Sequence, residues 1–283
     1  VTITIVENDS TPVVTLSTSA TSIAENAGSS ITLTATLSNA TTEDVTVALS
    51  TSGTGTEGTD YSTISDITVT AGNTTGTASF TPTDDSVYEG NETGVVAIST
   101  VSGGSANESG TPQEVTITIN DNESAPTVTL SSSATSISED AGSSLTLTAT
   151  LSVATTADVT VGISTSGTGT EGTDYSTISD ITISAGATTG TASFTPTDDS
   201  IYEGNETGIV AISTVSGGSA TEDGTQSVTI TITENDSSPT VTLATSATSI
   251  AENAGSSLTL TATSSIAADE DITVTISTSG TGT

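Results

Sequence analysis

Apolar and polar residues alternate one by one along much of this chain. Ile31, Leu33, Ala35 and Leu37 are separated by Thr32, Thr34 and Thr36; Val45, Val47 and Leu49 by Thr46 and Ala48; Ile67 and Val69 by Thr68; Val115, Ile117 and Ile119 by Thr116 and Thr118. A period of two puts one kind of side chain on each face of an extended segment, so these are predicted strands with an apolar face and a threonine face. Val13 to Ser17, Thr75 to Thr81 and Gly94 to Ser102 are further predicted strands, with Gly, Ser, Asn or Asp between them. No stretch carries a helical stripe, and the Thr, Val and Ile content suits a pleated, half-buried surface. About seven short antiparallel strands in ~110 residues predict an all-β fold, an immunoglobulin-like antiparallel β-sandwich.

The pattern then starts again. PVVTLSTSATSIAENAGSS begins at Pro12, PTVTLSSSATSISEDAGSS at Pro126 and PTVTLATSATSIAENAGSS at Pro239, so the periods are 114 and 113 residues. That is too long for a solenoid repeat, which runs ~20 to 45 residues, and right for a whole domain. The expected organisation is residues 1–11 as the terminal strand of a preceding repeat, whole repeats at 12–125 and 126–238, and the first part of another at 239–283. VTITIVEND at Val1 matches VTITINDNE at Val115 and VTITITEND at Val228, which reads as a window on a longer tandem array.

Charge changes this picture most. The chain has 34 Asp and Glu and no Lys, Arg or His, a formal net charge of −34, so no carboxylate can find a cationic side chain. A nucleic-acid partner is excluded, because phosphate contacts need Lys or Arg, and an anionic membrane surface would repel the chain for the same reason. No apolar run approaches the ~18 residues of a membrane span, so direct membrane insertion of this segment is not expected. Without cysteine there are no disulfides or thiol metal sites, and without His, Cys or Lys an enzyme is the least supported class.

The carboxylates are not spread evenly. DDSVYEGNE, Asp84 to Glu92, holds four of them in nine residues and returns as DDSIYEGNE at Asp198. The loop falls between two predicted strands, at one end of the sandwich. Glu25 precedes the strand at Ile31, and Asp121 and Glu123 follow the strand ending at Ile119, so both could meet the loop. Two ionised carboxylates 4 Å apart repel by about 4 kcal/mol at an effective dielectric near 20. Oxygen-only ligands without His or Cys select a hard cation, and calcium accepts six to eight irregularly placed oxygens. In GTEGTDY the expected role is structural, a turn with Tyr61 packed at a sandwich corner.

Glu25 in AENAG, GTGTEGTDY from Gly53, DDSVYEGNE from Asp84, and a terminal VTITI strand with an acidic triplet together resemble the Calx-beta domain. This is a calcium-binding β-sandwich of sodium/calcium exchangers, integrin cytoplasmic partners and large bacterial surface proteins. Carried over by position, the resemblance implies calcium ligands at Glu25, Asp84, Asp85, the carbonyl of Val87, Glu89, Glu92, Asp121 and Glu123. In the second repeat it implies Glu139, Asp198, Asp199, the carbonyl of Ile201, Glu203, Glu206, Glu234 and Asp236. The chain departs from the exchanger pattern at Ser52 and Ser166, where an Asp is expected, and at Asn8, Asn122 and Asn235 in the triplets. Fewer carboxylates imply fewer ions or weaker binding.

The expected function is structural: the repeat region of an extracellular or cell-surface protein, an adhesin stalk or filament, whose junctions calcium stiffens. Its partners are then neighbouring repeats of the same chain and, in a filament, other copies. The alternative is a calcium sensor that transmits a binding-induced change to an attached protein. Near-identical units suit length better than signalling.

Overall fold

The computed structural model describes residues 1–4, 8 and 10–281. The chain divides into two compact units: residues 1–126 with 153–156, and residues 127–152 with 157–283. Each has a hydrophobic core of its own.

In the first unit the strands are β1 (Val13–Thr18), β2 (Ser22–Ala24), β3 (Ile31–Leu37), β4 (Val45–Gly53), β5 (Ile67–Val69), β6 (Thr75–Phe80), β7 (Val87–Tyr88), β8 (Glu92–Ser102), β9 (Asn107–Glu108) and β10 (Glu114–Asn120). They form a four-stranded sheet in the order β6-β3-β1-β9 and a five-stranded sheet in the order β2-β10-β8-β4-β5. Seven of them, β1, β3, β4, β5, β6, β8 and β10, match the alternation pattern, and their mutual pairings are antiparallel. Three short strands, β2, β7 and β9, go beyond the expected seven, and β2 and β9 pair in parallel at the sheet edges. The result is an immunoglobulin-like β-sandwich, and the second unit repeats its two sheets with the same order and register.

Alternation places the core. Val14, Leu33, Val45, Val47, Ile67, Val69, Val96 and Ile117 are fully buried between the sheets, while Thr15, Ser17 and Thr32 face out. Tyr61 and Phe80 close one end of this core, stacked with ring centroids 4.6 Å apart, and Tyr175 and Phe194 repeat the pair. Such a pair contributes about 0.5–1.5 kcal/mol beyond the area it buries. Tyr61 thus has the structural role expected of it.

Acids away from this end accept backbone N–H groups that the sheets leave unpaired. The β4–β8 ladder shifts register between Ala48 and Leu49. Such a bulge takes a backbone N–H out of the ladder. Asp66 Oδ1 accepts the Leu49 N–H at 3.1 Å, and Asp180 Oδ1 accepts that of Ile163 at 3.0 Å in the second unit. Val1–Thr4 form no strand, and Ile5, Val6, Glu7 and Asp9 of the opening segment lie outside the described residues. No helix among the described residues is long and apolar enough to cross a membrane, which says nothing of a β-barrel.

Candidate metal centre

Three pieces of chain converge beyond the Tyr61–Phe80 end of the core. Short β2 pairs in parallel with the last strand, β10, and the Glu25 N–H donates to the Asn120 carbonyl at 2.9 Å, which sets Glu25 at the chain exit. The acidic loop shapes itself: Asp85 Oδ1 accepts the Val87 N–H at 2.7 Å, an Asp side chain bonding its own backbone two residues on. Gly90, at φ 75°, then turns the loop through the left-handed region that glycine adopts without steric penalty.

The exit segment ties the loop down. Asp121 Oδ2 accepts the N–H groups of Glu89 and Gly90, and its Oδ1 accepts that of Glu123 at 2.8 Å. Asn91 Oδ1 accepts the Asp121 N–H at 3.2 Å, and Glu25 Oε1 accepts the Asp85 N–H at 3.2 Å. Carboxylates that sequence separates by almost a hundred residues are therefore neighbours.

Three groups of carboxylates result in the first unit: Glu25, Asp85 and Glu89; Glu25, Asp121 and Glu123; and Asp60, Glu89 and Glu92. Within each, one oxygen per residue lies within 4.8 Å of the others. Glu25 and Glu89 each belong to two groups, so the three form one continuous cluster. The second unit has Glu139, Asp199 and Glu203, and Asp174, Glu203 and Glu206.

Of the expected ligands, Asp84 and Asp198 fall outside these groups; Asp198 Oδ1 instead accepts from Asn235 Nδ2 at 3.1 Å. Glu234 and Asp236 also fall outside them. Glu234 Oε2 accepts the Glu203 and Gly204 N–H groups at 2.6 and 2.8 Å, and its Oε1 accepts that of Asp236 at 2.7 Å. Val87 and Ile201 sit in two-residue strands, their N–H groups held by Asp85 and Asp199 at 2.7 Å.

Asp60 and Asp174 are the residues that sequence reasoning missed. Both belong to the GTEGTDY turn, whose expected role is structural, immediately before the buried Tyr61 and Tyr175. The tyrosine anchors the turn in the core, and the preceding aspartate is thereby aimed at the cluster. The other acid of the turn has a different fate: Glu57 accepts from the Thr51 hydroxyl at 2.7 Å and from the Ile64 N–H at 2.6 Å. Gly55 makes room, since a Cβ there would stand 3.2 Å from Glu92 Oε2.

Electrostatics follow from the geometry. Burial pushes the Glu25 carboxyl up to about 7, and Asp85, Asp121 and Glu123 add repulsion. Burial, with Asp60 next, pushes Glu89 and Glu92 up to about 7 too. Glu139, Glu203 and Glu206 behave alike for the same reasons. Burial works against the ionised forms of Asp121 and Glu234, but the N–H groups pointing at them prevail and hold both below the usual carboxylate range. The first cluster thus combines a carboxylate kept ionised by backbone donors with glutamates that hold protons near neutrality; in the second unit the ionised Glu234 stands outside the groups that Glu139, Glu203 and Glu206 join.

The donor set fits a hard divalent cation. Every available ligand atom is an oxygen, and two of them, Glu123 Oε2 and Asp236 Oδ2, are buried without a hydrogen-bond partner. A buried carboxylate oxygen without a partner carries a desolvation cost that a cation would offset. Glu25, Asp60, Asp85, Glu89, Glu92, Asp121 and Glu123 would hold an ion in the first unit. Bound there, it would supply charge compensation and a cross-link.

Tandem all-strand sandwiches with a carboxylate cluster at one end define the class. The Calx-beta domain family matches residues 7–123 and again 121–236, and the chain belongs to that family. Comparison with curated proteins gives no match. Solved structures of similar fold include calcium binding domain CBD12 of CALX1.1, at 14% identity, TM-score 0.33, over 75% of this chain and 96% of that one. The Yersinia pseudotuberculosis adhesin InvE is similar at 15% identity, TM-score 0.33, over 77% of this chain and 58% of that one. Invasin, a bacterial integrin-binding protein, is similar at 19% identity, TM-score 0.37, over 87% of this chain and 45% of that one. The family assignment rests on the domain match alone.

Proposed function

We propose that this chain is a structural repeat region of an extracellular surface protein, an adhesin stalk or filament, whose repeat tips bind calcium and are stiffened by it. The observation that carries the reading is the tie between loop and exit segment: Asp121 holds the acidic loop through its N–H groups, and Glu234 does so in the second unit. An ion taken by Glu25, Asp85, Glu89 and Glu123 would bind the departing chain to its own domain tip. Without a cation the same residues repel one another, and no basic side chain anywhere in the sequence can replace it.

Calcium suits the chemistry and the setting. It accepts irregular sets of oxygen ligands, and extracellular modules bind it at roughly 0.1 to 1 mM. The test is small-angle scattering on the chain with calcium and with chelator. A longer, narrower distance distribution in calcium is the expected result; identical distributions, with calcium binding measured separately, would overturn the stiffening role.

A further inference from the structure

The short strand inside each acidic loop has a pairing outside its own sandwich pattern. In the first unit Val87–Tyr88 pair in parallel with Ala154–Thr155. In the second, Ile201–Tyr202 pair in parallel with Ala267–Ala268, and the Asp269 N–H donates to the Tyr202 carbonyl at 3.2 Å. The receiving residues correspond in sequence: SVATTADV around Ala154 aligns with SIAADEDI around Ala267 and with SNATTEDV around Ala40. Ala40–Thr41, the third member of this set, pairs with no strand among the described residues. Ala40 is exposed, as Ala267 is, while Ala154 is half-buried; Thr41 and Thr155 are both buried.

Two cavities record the difference. One of about 210 Å³ is lined by Pro239, Ala268 and Glu270 together with Tyr202 and Glu203 of the loop. The other, of about 460 Å³, is lined by Pro12, Thr41 and Glu43, the counterparts of those first three, and by Asn39 and Gly104. Among the described residues, none from an acidic loop lines it. The cavity beside Ala40–Thr41, where no loop strand pairs among the described residues, is the larger of the two, and the residues on its floor are small, as at the two paired positions.

We propose that Ala40–Thr41 and this cavity form a socket for the loop strand of a repeat placed ahead of it, an aliphatic residue followed by tyrosine, running parallel to Ala40–Thr41. The proposal rests on reading the repeats as parts of an array; it does not depend on calcium. Small residues at the receiving positions leave room for the tyrosine, and the backbone edge supplies direction. The facing acids, Glu43 and the loop glutamate, repeat Glu270 and Glu203 of the filled cavity, so docking opposes a repulsion that salt screens.

The test is hydrogen–deuterium exchange on a lengthened chain, with residues 12–114 duplicated ahead of Val1 so that a whole repeat precedes the socket. Exchange across Asn39–Asp44 is expected to slow about tenfold relative to the unlengthened chain. Val87→Pro with Tyr88→Ala in the added copy alone is expected to abolish the slowing. Exchange that is unchanged by the added repeat, or slowed equally by the altered copy, overturns the proposal. Slowing in both calcium and chelator supports the socket and leaves the calcium reading to scattering; slowing in calcium alone supports both. A second measurement needs no added repeat: in the chain itself, Ile201→Pro with Tyr202→Ala is expected to speed exchange at Ala267–Glu270 to the rate of Ala40–Glu43. An unchanged rate there also overturns the proposal.

Discussion

The two tips carry the same acids in opposite order. Asp121-Asn122-Glu123 closes the first repeat and Glu234-Asn235-Asp236 the second. In both, the first acid caps the loop through backbone N–H groups and the third keeps one buried oxygen without a partner. One methylene changes the outcome. The shorter Asp121 with the longer Glu123 brings three carboxylates together with Glu25, whereas Glu234 and Asp236 form no such group with Glu139 among the described residues. Equal charge therefore does not mean equal sites, because the reach of each carboxylate decides how many oxygens one ion can touch.

Removing calcium is expected to have the largest effect. Glutamates whose carboxyls are held at about 7 in the fold release their protons near 4.5 when unfolded. Their contribution is fully present below pH 4.5 and is lost as pH rises to about 7. Asp121 and Glu234, shifted the other way, lose their contribution only as pH falls below the ordinary carboxylate range. In chelator Tm should fall between pH 5 and pH 8, while in excess calcium it should rise, because the ion needs ionised ligands. At a hundredfold excess over Kd the ion adds about 2.7 kcal/mol. In calorimetry, coincident Tm values in calcium and in chelator at both pH values would mean that the clusters do not bind calcium.

Glu25→Gln comes next. It should weaken calcium at the first tip by roughly 10- to 100-fold, leave the second tip intact, and stabilise the first unit in chelator by removing a repelled charge. Titration calorimetry and thermal unfolding together check this reversal of sign. Exchanging the acids, Asp121→Glu with Glu123→Asp, should lower affinity at the first tip toward that of the second by a few-fold, ~0.5–1 kcal/mol. Equal affinity before and after would mean that side-chain reach is irrelevant. The smallest effect is expected from Asp60→Asn, about threefold in affinity, with a small gain in chelated stability because Asp60 is the acid that most repels Glu89 and Glu92, while Tyr61 still anchors the turn in the core.

Residues 239–283 show where local pattern stops. Val241–Thr245 pairs with Leu260–Ser264, Leu243 opposite Ala262, in the register that sets Leu130 opposite Ala149 in the preceding repeat. Yet Leu243 is 55% exposed and Leu260 52%, where their counterparts Leu130 and Leu147 are 7% and 0%. Alternation specifies strand and register; burial needs a second sheet to face. Short strands such as Val87–Tyr88 were invisible for the same reason, because two residues carry no period and take their conformation from a distant partner.

The sequence by itself determined the seven alternating strands, the repeat, the absence of any cationic side chain and hence the kind of ion the clusters could take. Those properties follow from residue type and period, which act locally. Only the tertiary structure decided that Asp60 joins Glu89 and Glu92 while Glu57 caps a turn, and that Asp84 stands aside while Asp121 holds the loop. A carboxylate's role depends on the few ångströms between its oxygens and the next group, and that distance is set by how strands far apart in the chain pack together.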